Sequence, residues 1–486
     1  MTRPYTPTQL YIDGRWVDAT GGALFPVHDP ATEEVLAQVS DAAADDGTRA
    51  LDAAVRAQGD WGRTTVRERA DILRRAYEMT LARIDEFATL MTLEMGKPFA
   101  ESRAEVVYGA EFLRWFSELA PQVAGRYLPA PVGSNRILTV KRPVGPALLI
   151  TPWNFPLAMA TRKIGPAVAA GCTMVLKPAE LTPLTALLFT QVMGEAGLPA
   201  GVLNVIPTTR PGEVTGPMIK DRRLRKLSFT GSTPVGKLLI AQSADTVLRV
   251  SMELGGNAPF LVFADADLDA AVAGAVVAKM RNGGESCVAA NRFIVHRSVA
   301  DEFAARLAAA LGAIEMGPGL RDGVGLGALI DDRAVAKVTR LVDAAVADGA
   351  TVLTGGTAPE RPGFFYPPTV LGQVPAGSGI LREEIFGPVA PIVTFDTDAE
   401  AIALANDTDF GLVAYVFTRD INRALSLGER IEAGMIGVNT GLVSNPAAPF
   451  GGIKQSGLGR EGSVEGIEEY LETVYMGIHL TDPDAE

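Results

Sequence analysis

Apolar and charged positions alternate at roughly helical spacing through the stretch from residue 45 to residue 120. Apolar Ile72, Leu73, Tyr77 and Leu81 share one face there, and arginines occupy neighbouring positions. A period of this kind predicts amphipathic helices that pack one face on a core. We therefore expect the first quarter of the chain to be mainly helical.

The pattern changes after residue 144, where short apolar runs begin to alternate with helical patterns. The runs at 144–151, 172–177, 202–206 and 224–229 are strand candidates. The segments between them, such as TRKIGPAVAAG and TPLTALLFTQVMGEAG, have the composition of helices. Strands that alternate with helices at this pitch predict a parallel, doubly wound sheet.

A second alternating series follows and predicts a second α/β domain. Its strand candidates lie at 291–296, 350–356, 390–395, 414–420 and 434–439, with an alanine-rich helix at 299–312. The tail IEEYLETVYMGI ends in an extended apolar piece with little sequence left to cover it. We expect this tail to be a strand that is added to another subunit's sheet.

Composition narrows the possible partners and the compartment. A chain of 486 residues with 47% hydrophobic and 21% charged residues is typical of a globular protein of two or three units. Its net charge of −13 argues against nucleic acid or an anionic membrane as partner. No secretory signal or membrane-spanning run is recognised, and only two cysteines occur, so a reducing cytoplasm is expected. The three histidines are far apart, which predicts no metal site.

The segment LSFTGSTPVGKLL is a candidate phosphate-binding turn. A strand runs into Gly231 and Ser232, and a helix is expected from about Pro234, capped by Ser232 or Thr233. The free N–H groups of such a helix start suit a phosphate. A triphosphate loop with bound Mg²⁺ is a weaker interpretation, because its last position is Leu238, which cannot bind the metal.

Three further residues are candidates for chemistry. Their structural alternatives are an inert thiol for Cys287, a solvated carboxylate in a strand-end loop for Glu253 and a turn cap for Asn154. Cys287 follows two glycines and is expected on an accessible turn, whereas Cys172 reads as a buried packing residue. Glu253 has apolar neighbours that would raise its pKa toward that of a general base. Asn154 lies between Pro152-Trp153 and Phe155-Pro156. The two prolines fix the backbone, as an oxyanion donor requires.

Seven segments in this order and spacing resemble the aldehyde dehydrogenase superfamily along nearly the whole chain. They are TPWNFP (151–156), LKPAE (176–180), FTGS (229–232), ELGG (253–256), Cys287 after GGES, EEIFGPV (383–389) and PFGGIKQSGLGREG (449–462). The resemblance implies an α/β fold with two doubly wound parallel-sheet domains and a small oligomerisation β-extension. It places the dinucleotide-binding domain at 1–124 and 144–254, the catalytic domain at 255–455, and the oligomerisation segment at 125–143 and 465–486.

The resemblance also implies a role for each matching residue. Cys287 is the nucleophile, Asn154 and the Cys287 N–H form the oxyanion hole, and Glu253 activates the hydrolytic water. Lys163 and Glu461 support Glu253 in proton transfer. The implied cofactor contacts are Thr151, Pro152, Trp153, Lys177, Glu180, Gly231, Ser232, Glu384 and Phe386. Because Glu253 is present, the thioester formed after hydride loss is expected to be hydrolysed rather than passed to coenzyme A.

The stretch 150–180 is similar to the succinate-semialdehyde dehydrogenase subgroup. Arg162, Arg281, Ser444 and Phe450 match its substrate-binding positions. Two guanidinium groups can hold a distal carboxylate, and the alternative for each arginine is a structural ion pair. Glutarate semialdehyde or another ω-carboxylated aldehyde is the alternative substrate, and a cofactor-free thiol esterase is the alternative of another class.

The same comparison leaves the cofactor open between NAD and NADP. Glu180 would repel a 2′-phosphate and favours NAD, whereas Lys177 and Arg210 would tolerate NADP. A homodimer or homotetramer is implied, with no nucleic-acid or membrane partner. Two departures are visible: Ala289 replaces a second cysteine, which removes a disulfide switch, and Glu285-Ser286 replaces the commoner Gln-Thr.

Overall fold

The computed structural model describes residues 4–481. Its first part contains β1 (Leu10–Ile12), β2 (Arg15–Val17), β3 (Leu24–His28), β4 (Val35–Ser40), α1 (Ala44–Trp61), α2 (Val66–Ala82), α3 (Ile84–Met95), α4 (Phe99–Leu119), β5 (Arg126–Pro129), β6 (Asn135–Pro143), β7 (Ala147–Ile150), α5 (Ala158–Ala170), β8 (Met174–Lys177), α6 (Pro183–Glu195), β9 (Leu203–Val205), α7 (Pro211–Lys220), β10 (Lys226–Thr230), α8 (Thr233–Ser243) and β11 (Arg249–Glu253). The helices expected between residues 45 and 120 are therefore present.

The second part follows the same alternation. It contains β12 (Ala258–Val262), α9 (Leu268–Met280), β13 (Ala290–His296), α10 (Arg297–Gly312), α11 (Asp332–Ala347), β14 (Thr351–Thr354), β15 (Thr369–Gly372), β16 (Val389–Phe395), α12 (Asp398–Asn406), β17 (Phe410–Gly411), β18 (Val413–Phe417), α13 (Ile421–Arg430), β19 (Met435–Val438), β20 (Ile453–Lys454), β21 (Gly457–Leu458), α14 (Ser463–Glu468) and β22 (Leu471–His479). No helix within residues 4–481 is both long and apolar enough to cross a membrane.

The first sheet has eight strands in the order β2-β1-β9-β8-β7-β10-β11-β21. Its five central strands are parallel. Successive strands are added toward one edge from β7 to β9 and toward the other edge from β10, so the strand order reverses between β7 and β10, where Ile150 pairs with Phe229. Strands β7 and β8 are buried on both faces, which explains their nearly continuous apolar sequence. The predicted doubly wound sheet is confirmed, with its crevice at the carboxyl ends of β7 and β10.

The second sheet has seven strands in the order β14-β15-β16-β13-β12-β18-β19. All neighbours are parallel except the edge pair β14 and β15. An aromatic cluster around Phe260 fills the core on one face: its ring is 4.8 Å from that of Phe417 and 5.1 Å from that of Phe293. A second α/β unit therefore follows the first, as the alternating pattern predicts.

A third, smaller sheet joins the tail to residues 126–143. Strand β22 pairs antiparallel with β6 over nine residue pairs, and β6 pairs with β5. The terminal strand is present as expected, and it pairs on one edge with β6 of the same chain. Its other edge has no strand partner within residues 4–481, so addition to another subunit's sheet stays a prediction. Residues 482–486 of the predicted oligomerisation segment lie outside the described residues.

Candidate functional site

The site lies where the carboxyl edge of the first sheet faces the amino edge of the second. Strand β11 ends at Glu253, and after three residues of turn and Asn257 the chain begins β12. Glu253 pairs in register with Thr230, the last residue of β10, and with Gly457 of β21. The loops after β7 and β10 reach the same edge, so Asn154, Ser232 and Glu253 meet there although they are far apart in sequence.

Cys287 is carried by a tight turn between α9 and β13. The turn begins with residues in left-handed conformation: Asn282 has φ 59°, Gly283 φ 63° and Gly284 φ 78°. A Cβ on Gly284 would collide with the carbonyl oxygen of Gly387, so only glycine fits that close approach. The thiol is partly exposed and lines a cleft of about 460 Å³ together with Asn154 and Glu253.

The surroundings of the Cys287 thiol keep it protonated at rest. Burial raises its pKa to about 12, the positive charge of Arg162 lowers it, and the carboxylates of Glu384 and Glu253 raise it further. The nucleophile therefore needs a base at the moment of attack, and the carboxylate of Glu253 in the same cleft is the candidate. Cys172 is fully buried, as expected, and its Sγ donates to the carbonyl of Tyr470.

Asn154 is held rigidly, as its sequence context predicts. Its Nδ2 donates to the carbonyl of Glu285 at 3.0 Å, and its own carbonyl accepts from Lys97 Nζ and Asn282 Nδ2, each at 2.9 Å. An amide carries two N–H groups, so one remains available to a substrate oxygen in the cleft. The arrangement suits an oxyanion donor.

Glu253 is the most perturbed acid of the cleft. Burial raises its pKa well above the usual range, and the negative charge of Glu461 raises it further, whereas Arg162 and Lys163 lower it. Its Oε2 is buried and has no hydrogen-bond partner within residues 4–481. A carboxylate in this condition is a strong candidate for a general base.

Lys163 and Glu461, which the resemblance groups with Glu253, form one buried charge cluster together with Arg162. Glu461 bridges Arg162 Nη2 at 2.7 Å and Lys163 Nζ at 2.6 Å, and Lys163 also donates to Ser228 at 2.8 Å. Lys163 and Glu461 do not line the cleft itself, so they act on Glu253 through their charge.

The predicted cofactor residues separate into two groups. Pro152, Trp153, Gly231, Ser232, Glu384 and Phe386 line the cleft. Thr151, Lys177 and Glu180 lie behind it: the N–H of Thr151 donates to the carbonyl of Lys177, and Lys177 Nζ is paired with Glu180 at 3.0 Å. Lys337 and Arg333 line the same cleft and were not anticipated.

A dinucleotide fits this donor set. Helix α8 begins directly at the cleft after Ser232, but the predicted side-chain cap is absent: Ser232 makes no capping hydrogen bond, and the hydroxyl of Thr233 donates to the carbonyl of Gln455. These uncapped N–H groups suit a pyrophosphate. Beyond them, the half-buried Glu384 accepts from the Gly256 N–H at 2.9 Å and suits a ribose hydroxyl. The Trp153 and Phe386 rings stand edge to face, 5.4 Å apart.

The predicted substrate residues share one small cavity on the other side of Cys287. Its lining includes Arg162, Arg281, Ser444, Phe450 and Cys287. Arg281 Nη1 donates to Ser444 at 3.2 Å and has no ion-pair partner in the described part of the chain. Arg162 stacks 3.9 Å above the ring of Phe450 and is paired with Glu461, so the structural ion pair is present, and its substrate-binding role stays a prediction.

Several residues that shape the site carry no sequence signal of their own. Tyr108 packs against Arg281, with its ring centroid 5.3 Å from the guanidinium carbon. Lys97 and Glu105 form a buried pair against Asn154. All belong to helices or loops whose contact with the cleft depends on tertiary packing, and a helical pattern alone does not reveal such contacts.

Comparison with known proteins agrees with this geometry. The model of the aldehyde dehydrogenase family matches residues 16–476. The chain belongs to the aldehyde dehydrogenase family. It is therefore an oxidoreductase, as the sequence predicts, and members of this family use NAD or NADP.

Individual relatives place this aldehyde dehydrogenase near enzymes of carboxylated aldehydes. It is 60% identical to a succinate-semialdehyde dehydrogenase of Paenarthrobacter nicotinovorans over 91% of this chain and 99% of that protein. It is 49% identical to a glutarate-semialdehyde dehydrogenase of Pseudomonas putida over 97% of this chain and 98% of that protein.

Solved structures extend the likeness to the fold. An Escherichia coli NADP-dependent enzyme has a TM-score of 0.96, with 49% identity and 98% of each chain covered. A betaine aldehyde dehydrogenase of Staphylococcus aureus in complex with NAD⁺ has a TM-score of 0.95 and 34% identity, over 99% of this chain and 97% of that one.

Proposed function

We propose that this aldehyde dehydrogenase oxidises succinate semialdehyde to succinate through a thioester on Cys287. The observation that carries the proposal is the guanidinium of Arg281, which lines the same small cavity as the thiol and has no carboxylate partner within residues 4–481. An unpaired guanidinium in the same cavity as the reactive thiol is suited to bind the distal carboxylate of a short semialdehyde.

The residues divide the reaction between them. The Cys287 sulfur adds to the aldehyde carbon, and the free N–H of Asn154 together with the Cys287 N–H stabilises the resulting alkoxide. Bound NAD or NADP would accept the hydride that leaves this adduct, held by the α8 start, Glu384 and the Trp153–Phe386 pair. Glu253 then takes a proton from the water that hydrolyses the thioester and releases the acid.

A substrate panel tests the proposal directly. Purified protein is mixed with succinate semialdehyde and each cofactor, and formation of reduced nicotinamide is followed by absorbance. We expect a higher kcat/KM for succinate semialdehyde than for glutarate semialdehyde or an uncharged aldehyde. A higher kcat/KM for glutarate semialdehyde would transfer the proposal to the longer substrate. Ester hydrolysis without nicotinamide reduction would favour the thiol esterase instead.

The Arg281→Met substitution should remove recognition of the distal carboxylate. We expect kcat/KM for succinate semialdehyde to fall about 100-fold, as for the loss of a charge-assisted hydrogen bond. The value for butanal, which has the same carbon chain without the carboxylate, should change little. Equal losses for both aldehydes would show that Arg281 supports the cavity rather than the substrate's charge.

We propose NAD as the preferred cofactor because of the charge at Glu180. Lys177 lowers the pKa of this carboxyl, so it is ionised and would repel a 2′-phosphate, while Lys177 itself is neutralised by the pair. The Glu180→Gln substitution should raise the ratio of kcat/KM for NADP to that for NAD about tenfold, equivalent to roughly 1.4 kcal/mol. An unchanged ratio would contradict this assignment.

The hydrolysis step should depend on pH through Glu253. Only the carboxylate form accepts a proton, so the rate should rise with pH through the raised pKa of this group. The Glu461→Gln substitution should move this rise to lower pH, because it removes a negative charge and leaves Arg162 and Lys163 unneutralised. The rate of thioester hydrolysis is measured from the amount of acylated peptide in samples quenched at successive times. The variant Glu465→Gln, which changes an exposed glutamate, is the control. A rise that stays in place or moves to higher pH would contradict the assignment.

The two α/β units and the small sheet are proposed to have separate roles. We assign cofactor binding to residues 1–124 and 144–254 and catalysis to 255–455. The outer edge of β22 is unpaired in the described chain and carries the exposed Tyr475, so we propose that a homodimer or homotetramer forms through the small sheet. A reducing compartment such as the cytoplasm is proposed because the reaction needs a free thiol at Cys287.

A further inference from the structure

A short stretch at the start of α4 contacts the loop that carries Asn154. Lys97, just before α4, places its Nζ 2.5 Å from Glu105 Oε2 and 2.9 Å from the carbonyl oxygen of Asn154. Both side chains of the Lys97–Glu105 pair are 1% exposed. A charged pair this deep is costly to desolvate and needs additional hydrogen bonds, and the Asn154 carbonyl supplies one.

The other oxygen of the same carboxylate fixes the end of the Asn154 loop. Glu105 Oε1 accepts from the N–H groups of Leu157 and Ala158, at 3.0 and 3.1 Å, where α5 begins. A carboxylate at a helix start satisfies free N–H groups and interacts favourably with the helix dipole. The Asn154 loop is thus held at its middle by Lys97 and at its end by Glu105.

The nucleophile turn is tied to the same place. Asn282 Nδ2 donates to the carbonyls of both Asn154 and Glu285, and the Asn282 N–H donates to Glu101 of α4 at 2.8 Å. Asn154 Nδ2 donates in turn to the carbonyl of Glu285, two residues before Cys287. Helix α4, the amide loop and the nucleophile turn therefore form one closed hydrogen-bonded set.

We infer that the Lys97–Glu105 pair is a positioning device that sets the Asn154 amide relative to the Cys287 sulfur. Asn154 Oδ1 has no hydrogen-bond partner within residues 4–481, so the amide is oriented only by the Nδ2 hydrogen bond to Glu285 and by how its backbone is held. Neither Lys97 nor Glu105 lines the cleft, and both act through Asn154. The inference rests on the proposed role of Asn154 as oxyanion donor.

The Glu105→Gln substitution is the main test, because glutamine keeps the size and an acceptor for the α5 start but removes the charge that holds Lys97. We expect the single-turnover rate of reduced-nicotinamide formation at saturating cofactor to fall about 100-fold, as for a shift of about 1 Å at the reacting centre. Cofactor affinity, measured by titration, should change less than about twofold, since the α8 start and Glu384 are untouched.

The chain offers a matched control in α3. The buried Glu94 accepts from the N–H groups of Leu184 and Thr185 at the start of α6, both at 2.8 Å, and so makes the same kind of contact as Glu105. Glu94→Gln should leave the single-turnover rate within about twofold of that of the parent protein. An equal fall of the single-turnover rate in the two variants would overturn the inference, because the loss of any buried helix cap would then be enough to slow the reaction.

A double-substitution cycle with Asn154→Ala separates positioning from general damage. If Lys97 and Glu105 act through Asn154, the effect of Glu105→Gln should shrink to within about twofold in the Asn154→Ala background. A full, additive loss there would overturn the inference while leaving the role of Asn154 intact. If Asn154→Ala alone kept the parent rate, the proposed oxyanion role would fail, and the inference with it.

A second variant separates the positioning effect from a folding defect. A single change can leave one charge buried alone, which destabilises by roughly 3–5 kcal/mol. The double variant Lys97→Met with Glu105→Gln buries no charge and keeps the acceptor for α5. It should fold and show the same slow single turnover. A double variant that folds and reacts at the parent rate would overturn the inference.

Discussion

Replacing Cys287 with alanine should reduce aldehyde oxidation by about 10⁴-fold or more, as expected when the only nucleophile is removed. No other thiol can substitute, because Cys172 is fully buried against the carbonyl of Tyr470. The measurement is the steady-state rate of nicotinamide reduction with succinate semialdehyde. Binding of the cofactor, followed by titration, should persist because the residues of the α8 start are unchanged.

Cys172→Ala is the matched control for this prediction. Its thiol lies in the core beneath the first sheet, with its pKa raised to about 11 by burial, and should contribute packing alone. Full activity in this variant and none in Cys287→Ala would identify the reacting sulfur. Substantial turnover by Cys287→Ala would contradict a covalent mechanism.

Replacing Glu253 with glutamine should stop the cycle after the first turnover. The amide cannot take a proton from water, so hydrolysis of the thioester should slow by about 10²–10⁴-fold, the usual contribution of a general base. One equivalent of reduced nicotinamide per site should still form if the rest of the cleft is intact. A burst followed by a very slow phase is the expected trace.

The burst also reports whether Glu253 activates the thiol. Burial keeps the pKa of Cys287 at about 12, so a base is needed for attack as well as for hydrolysis. A slower burst of full amplitude would give Glu253 both roles, and a burst at the parent rate would limit it to hydrolysis. Unchanged steady-state turnover would remove Glu253 from the mechanism.

The fold could be predicted from sequence because its strands are buried on both faces. Runs such as ALLI in β7 and MVLK in β8 contain almost no polar residue, so their alternation with helices is readable in one sequence. The partner of the tail strand could not be read, because strand pairing depends on which edge is free in space. On one edge the tail pairs with β6 of its own chain, and its other edge has no strand partner within residues 4–481.

The candidate site residues could be recognised from motifs, but the ion pairs and hydrogen bonds that join them to one another could not. Arg162 illustrates the difference: the sequence presents substrate binding and a structural ion pair as alternatives, whereas the side chain lines the substrate cavity and is bound to Glu461. The role of Glu285 was also hidden. Its buried carboxyl accepts from the Ile330 N–H, and its carbonyl accepts from Asn154, so it links the nucleophile turn to the cofactor cleft.

The most direct measurement is mass spectrometry of peptides from the Glu253→Gln variant quenched during its first turnover. Succinate semialdehyde and NAD should leave one succinyl group on the peptide that contains Cys287 and none on the peptide that contains Cys172. The group should be lost on treatment with hydroxylamine, as a thioester is. An acyl group elsewhere, or nicotinamide reduction with no acylated peptide at any time, would contradict the account.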